Sequence, residues 1–290
     1  MEREILIMKR RKHTGLIWTI IIVAIVLIGG IAGFAHHRQQ QAKTVTVGVV
    51  GLTNQQQKIW DEVNKTAKKK YGVTVKVKNF SDYNQPNKAV QNGDIDLNAF
   101  QHTAFLNAWN KANHGQVVSI GRTVIAPIRL YSKKYNSIKD LPNGATIAVP
   151  NDASNESRAL YVLKNAGLIT FKKGTGKLAT VADIDKNTKN LKIKELGAEQ
   201  TARSLNDVDA AVVNNTYAAP AGLTKKETIY VEPLNKDSEQ WINIIAAKKS
   251  DANKQAYKDV VKAFQTPQVK KLYQKYYGDT EKTAWDLKLN

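Results

Sequence analysis

No cysteine occurs among the 290 residues. That absence excludes disulfides, thiolate metal sites, a cysteine nucleophile and a lipid-modified cysteine within this sequence. Acidic residues are scarce: 25 Asp and Glu stand against 44 Lys and Arg, for a net charge of +19. Catalytic signatures are missing as well. There is no G-x-S-x-G nucleophile turn and no H-E-x-x-H zinc motif. His102 and His114 have no carboxylates beside them at ligand spacing, which argues against a metal site. A dyad of His102 with an acid distant in sequence stays open at this level. The remaining composition, average in apolar and charged residues, suits a globular α/β chain of one or two domains with a sizeable core.

Long apolar runs are absent too, with one exception. Leu16–Ala35 carries no charge, and about 20 residues is the length a helix needs to cross a bilayer. Lys9-Arg10-Arg11-Lys12 precedes it and Trp18 sits near that boundary, so the positive-inside bias sets residues 1–15 as a cytoplasmic tail and exports the rest. A cleaved signal peptide ending at Gly33-Phe34-Ala35 is the competing reading. Its apolar core would be about 7–15 residues, shorter than this run, so the length favours an uncleaved anchor. Residues 36–43 form a polar linker, and its His36-His37 pair, without further ligands nearby, is expected to be hydrated.

From residue 44 the pattern alternates between strands and helices. Thr44–Val50 reads as a central strand, Gln55–Lys70 as a helix with Ile59, Val63 and Ala67 on one stripe, and Val73–Lys78 as a second strand. This is a strand–helix–strand unit of the parallel type. Asn84–Val90 is a helix opened by Pro86. Asp94–Phe100 is a strand end and Gln101–Trp109 the helix after it. Ligand residues in a parallel sheet come from C-terminal strand ends, which singles out Tyr83, Phe100, His102 and Phe105. The plainer alternative keeps both phenylalanines in the core and His102 as a structural histidine. Arg122–Lys133 suits a strand crossing between lobes. Val181–Asn187 reads as a short helix, Gln200–Asn206 as another, and Val208–Val213 as a buried strand ending in the amides Asn214-Asn215. Ile229–Pro233 and Trp241–Ala247 are expected as strands returning to the first lobe. Asn243 is a polar residue inside the second, so it is either structural or in a cleft. Gln255–Phe264 and Pro267–Tyr277 are lysine-rich amphipathic helices.

The stretch Asn143–Leu160 carries the sharpest local signal. It reads as a buried strand over Ala145–Val149, a break at Pro150-Asn151-Asp152, and a helix capped by Ser154 or Asn155. Arg158 then falls in the first helical turn. A helix N-terminus with unpaired N–H groups, joined to a guanidinium fork, makes a receptor for a carboxylate. The alternative is an ordinary strand–turn–helix with a solvated arginine.

Charge distribution weighs against nucleic acid. Residues 1–40 contribute six basic and two acidic side chains, leaving +15 on the rest. Those lysines are scattered as pairs such as Lys133-Lys134 and Lys248-Lys249 rather than gathered in one run. A basic exterior beyond a membrane suits anionic lipid or wall polymers.

Four segments together resemble the NlpA-type methionine-binding family, the extracytoplasmic substrate-binding subunits of methionine ABC importers. They are Tyr83-Asn-Gln-Pro-Asn87, Asp96-Leu-Asn-Ala-Phe-Gln-His102, Val149-Pro-Asn-Asp-Ala-Ser-Asn155 with Arg158, and Val213-Asn-Asn-Thr-Tyr-Ala218. The resemblance runs from about Lys43 to the C-terminus. It implies a two-lobed, periplasmic-binding-protein-like α/β fold with a two-strand hinge, here preceded by a transmembrane helix. Lobe 1 would comprise 44–132 and 231–290, and lobe 2 residues 133–230. The implied ligand is L-methionine or a similar small amino acid, with no cofactor and no metal, and the implied partners are an ABC permease and its ATPase. By family pattern, Tyr83, Phe100 and Phe105 surround the thioether, while His102, Asn155, Arg158, Asn214 and Asn243 contact the amino-acid end. Arg158 takes the carboxylate and Glu156 approaches the ammonium. This chain departs from the family in having Phe105 where tyrosine is usual, and in lacking the lipid-bearing cysteine.

Overall fold

The computed structural model describes residues 44–289. The cytoplasmic tail, the apolar span and the linker expected over 1–43 lie outside the described residues. No described helix is long and apolar enough to cross a membrane.

The chain opens with β1 (Thr44–Val50), whose Val45, Val47, Val49 and Val50 are all buried. Helix α1 (Asn54–Tyr71) starts at a capping box in which Thr53 and Gln56 satisfy each other's amides, and it stops where Gly72 takes a left-handed φ of 66°. Its buried stripe is Ile59, Val63 and Ala67, with Trp60 beside them. Next come β2 (Thr74–Phe80), α2 (Gln85–Asn92), β3 (Leu97–Asn98) and α3 (Thr103–Asn113). They are followed by β4 (Val117–Arg122), β5 (Val124–Ile125), β6 (Arg129–Tyr131) and β7 (Thr146–Pro150). Helix α4 (Ala153–Asn165) leads to β8 (Ile169–Phe171), β9 (Ile184–Asn187) and β10 (Lys192–Leu196). Then follow α5 (Ala198–Ser204), β11 (Ala210–Val213), α6 (Asn215–Ala218), β12 (Thr228–Val231) and β13 (Ile244–Lys248). Helices α7 (Gln255–Phe264) and α8 (Pro267–Tyr277) and the short β14 (Lys282–Thr283) complete the chain.

Two five-stranded sheets organise these elements, one in the order β2-β1-β3-β13-β4 and the other β10-β7-β11-β6-β12. In the first, β1 and β3 are parallel, with Val47 opposite Leu97, and β13 runs antiparallel to β3 and β4. In the second, β7 lies between the parallel strands β10 and β11, and β6 is antiparallel to β11. One core packs α1, α7 and α8 against the first sheet through Val47, Ile59, Val63, Val260 and Phe264. Another packs α4 on the second sheet through Ile147, Val149, Leu160, Leu163 and Val212. A third apolar cluster runs continuously from Val50, Tyr83, Phe100 and Leu106 to Ala148, Leu205, Val213 and Tyr217, so it joins the two halves.

The connections between sheets differ from expectation. Arg122–Lys133 is not one strand: β5 pairs with β14, and β6 already belongs to the second sheet. Pro127 has no N–H to donate, which suits a break in the ladder there. Of the two strands expected to return to the first lobe, only β13 does. β12 pairs with β6 and stays with the second sheet. Residues 181–187 form one 3-10 turn and then β9, because a Thr180–Asp183 capping box closes only a single turn. Asn243 immediately precedes β13 instead of lying inside it.

Candidate functional site

The strands β3, β7 and β11 end on the segments that carry the polar residues singled out above. After β3 the chain presents Phe100, Gln101 and His102. After β7 comes the start of α4 with Asn155 and Arg158, and after β11 come Asn214, Asn215 and Thr216. Together with Tyr83, Phe105 and Asn243 these residues line one cavity with about 470 Å³ of atom-free space, its open mouth included. All eight expected residues, Tyr83, Phe100, His102, Phe105, Asn155, Arg158, Asn214 and Asn243, are in that lining.

Its apolar wall is a triangle of rings. Tyr83, Phe100 and Phe105 stand with centroids 5.6–5.8 Å apart, and Phe105 meets each of the others edge-on. Such offsets are the favourable arrangement for aromatic quadrupoles. Tyr217 backs the group at 5.1 Å from Tyr83.

The polar wall is a connected set of side chains. His102 caps α3: its Nδ1 accepts from the Phe105 N–H at 3.0 Å. A neutral imidazole that accepts at Nδ1 carries its proton on Nε2. Nε2 therefore donates to Asn155 Oδ1, 3.2 Å away. Asn155 Oδ1 also accepts from Asn214 Nδ2 at 2.8 Å. Asn155 Nδ2 is held by the Asp152 carboxylate at 2.9 and 3.1 Å. Burial, helped by the nearby Arg158 charge, pushes the His102 pKa down to about 3, so the ring stays neutral. One nitrogen of His102 thus caps a helix and the other belongs to the cavity network. One atom is left over. Asn214 Oδ1 is buried and has no hydrogen-bond partner.

Arg158 is 4% exposed, which rules out a solvated arginine. Its Nε and Nη2 hold the Glu232 carboxylate at 2.8 and 2.5 Å, and Nη2 also donates to the Ala126 carbonyl. The guanidinium lies 4.9 Å from the Trp241 ring centroid. Nη1 has no protein acceptor among the described residues.

Two details of the expected carboxylate receptor are corrected. The cap of α4 is Asp152, not Ser154 or Asn155: its Oδ1 accepts from the Asn155 N–H at 3.0 Å. The mouth of the helix is therefore already occupied by an anion. Arg158 is the sixth residue of α4 and sits in its second turn. Glu156 does not line the cavity. Its Oε1 accepts from the Val181 N–H at 3.1 Å, and burial raises its pKa there.

Sequence reasoning missed Glu232, Trp241 and Glu281. Glu232 and Trp241 meet Arg158 from the return connection, and Glu281 enters from the segment after α8. None lies near a recognisable motif, and each is brought in by tertiary structure alone.

Known proteins resemble this chain over most of its length. The D-methionine-binding lipoprotein MetQ of Salmonella typhimurium is 41% identical over 244 residues, covering 83% of this chain and 88% of that protein. The substrate-binding protein of a methionine transporter from Streptococcus pneumoniae is 46% identical with a TM-score of 0.79, over 84% of this chain and 96% of that one. A nutrient-binding protein from Burkholderia cenocepacia, solved bound to methionine, is 45% identical with a TM-score of 0.78, over 83% and 99% of the two chains. The two-lobed α/β architecture is shared with these structures. The profile of the NlpA lipoprotein family matches residues 45–285, and the chain belongs to that family.

Proposed function

We propose that this protein is the extracytoplasmic substrate-binding subunit of an ABC importer, holding methionine between two lobes and passing it to a permease and its ATPase. Membership of the family makes it a binding protein rather than an enzyme. The observation that carries the ligand assignment is the composition of the cavity: a ring triangle on one side, and on the other a buried guanidinium with a spare N–H edge beside an unpartnered amide oxygen.

A zwitterion is costly to desolvate unless both ends are paired. In this reading the carboxylate meets Arg158 Nη1, and the ammonium donates to Asn214 Oδ1, with Asn243 alongside. His102 and Asn155 hold the polar wall in register. The sulfur lies against Tyr83, Phe100 and Phe105, each contact contributing about 0.3–1.5 kcal/mol. Affinity is expected to be micromolar or tighter, roughly −8 kcal/mol or more favourable. The lobe assignment we propose follows the sheets. It keeps the division into 44–132 with 231–290 and 133–230, moved so that β6 and the whole of β12 go with the second lobe. Binding would close the lobes across the His102–Asn155 contact. For the anchor, we propose that Leu16–Ala35 does what a lipid does in the lipoprotein relatives, since the sequence has no cysteine to carry one.

Native mass spectrometry of the full-length protein as purified tests the ligand, followed by a calorimetric screen of the amino acids with both methionine enantiomers. A co-purifying methionine, or saturable binding of either enantiomer, is the expected result. No binding of either would overturn the reading.

A further inference from the structure

Glu281 is the one acid in the cavity lining that the reading above leaves without a task. It follows α8 and leads directly into β14, it is 7% exposed, and it faces two adjoining spaces. One is the cavity already described. The other reaches inward past Gln56, Trp60, Phe264 and Tyr273, and Phe100, Thr216 and Asn243 are walls of both. Oε1 of Glu281 accepts from Asn215 Nδ2 at 2.6 Å. Among the described residues, Oε2 receives no protein hydrogen bond and no Lys or Arg lies within ion-pair distance of either oxygen.

We infer that Glu281 is the counter-charge this cavity presents to a ligand ammonium, and that it selects molecules with a free protonated amine over those that lack one. The inference rests on the amino-acid reading above. Two independent features point the same way. Glu281 is a buried acid without an ion pair, and Asn214 Oδ1 is a buried acceptor without a donor, both lining the same cavity. A group with several N–H donors and a positive charge satisfies both. Arg158, already matched by Glu232, leaves the cavity able to accept one further cation against Glu281 and one further anion at Nη1.

The proton balance follows from the surroundings. Arg129 on β6 is the positive group facing Glu281, and Tyr273 and Tyr277 face it from α8. Both phenols are pushed upward by burial and stay neutral through the relevant range. On its own segment the neighbouring charge is Lys282. Burial outweighs the Asn215 hydrogen bond and the Arg129 charge and pushes the carboxyl up to about 7. An arriving ammonium stabilises the carboxylate. The carboxyl O–H bond then breaks, its electrons stay on oxygen, and the proton goes to solvent. His102, at about 3, is silent in this window.

Titration calorimetry on the full-length protein in detergent tests this with two probes, methionine and its amine-free analogue 4-(methylthio)butanoate. Wild type should prefer methionine. Glu281→Gln keeps the acceptor for Asn215 and should weaken methionine about 10- to 100-fold at pH 8, the scale of a hydrogen bond to a charged group. Affinity for the analogue should change little. In buffers of different ionisation heat, wild type should release about one proton at pH 6 and almost none at pH 8.5, and the variant none at either. Unchanged methionine affinity and unchanged proton count in the variant would overturn the inference. Should the variant fail to fold, the wild-type proton count alone decides, and no release at pH 6 is the overturning result. Wild type that binds no methionine sinks the ligand reading and this inference together, whereas wild type that binds while Glu281→Gln is indifferent sinks only the latter.

Discussion

Glu232 occupies one edge of Arg158, with Oε1 on Nε and Oε2 on Nη2, and leaves the Nη1 edge to the cavity. Glu232 also pairs with the other crossing segment: its Oε2 accepts from the Ile128 N–H, and its own N–H donates to the Ile128 carbonyl. The guanidinium of α4 is thereby locked onto both connections between the sheets. Arg158 has two tasks, bracing the crossing and offering Nη1 to the cavity.

Arg158→Ala should therefore lose more than ligand. It leaves Glu232, 8% exposed, as a buried charge without its partner, a situation that costs about 3–5 kcal/mol. Arg158→Ala with Glu232→Gln removes that charge and should recover most of the stability. Neither variant should bind methionine detectably. Urea unfolding measures the first effect and calorimetry the second. A double variant that regains stability and also binds methionine would remove Arg158 from the site.

The contact between His102 and Asn155 links the two halves and depends on a neutral ring. The folded pKa is about 3 against an ordinary value of 6.5, lowered by burial first and the Arg158 charge second. The sign follows from linkage. The unfolded state takes up the proton first as pH falls, so the stabilisation is complete above about 6.5 and is lost progressively towards 3. Folding stability should fall by up to about 1.4 kcal/mol per pH unit within that window from this ring alone. In urea unfolding, His102→Gln should show a shallower loss of stability than wild type. A wild-type profile no steeper than that of the variant between pH 6.5 and 4 would show that the ring does not titrate with unfolding.

Much of this was legible in the sequence, and the exceptions share a cause. Gln255–Phe264 and Pro267–Tyr277 form helices with the expected ends, because amphipathic spacing and Pro267 are local signals. The cavity residues were legible because they follow parallel strands in chain order. The cap of α4 was not, because Asp152, Ser154 and Asn155 are all good capping residues, and only Asp152 takes the extended backbone there. Glu232 and Glu281 were not legible at all. Their partners lie 74 and 66 residues away, and no local pattern encodes such a pairing. The placement of β12 failed similarly, since edge pairing to β6 or return to the first sheet are equally compatible with an alternating strand.

Tyr217 offers a control for the buried polar groups. Its hydroxyl is buried without a hydrogen-bond partner, next to Tyr83. Removing such a group costs nothing in lost bonds and relieves a desolvation penalty of about 1–3 kcal/mol. Tyr217→Phe should be neutral or stabilising in urea unfolding and should leave methionine affinity within about threefold, a difference of roughly 0.7 kcal/mol. A large loss of affinity would instead place this hydroxyl among the ligand contacts.

The proposed membrane attachment has its own test. Twenty residues from Leu16 to Ala35 would span about 30 Å as a helix, the thickness of the hydrocarbon core. With such a span, the basic cluster Lys9–Lys12 would set the preceding tail in the cytoplasm. A core of that length is longer than signal peptidases ordinarily meet. The protein should stay with membranes through an alkaline carbonate wash and be released by detergent. Its intact mass should remain 32.2 kDa. Externally added protease should digest the binding domain on cells freed of their wall. Recovery of a shorter, freely soluble form that begins just after Ala35 would identify the run as a cleaved export signal, and would leave this binding protein without a tether of its own.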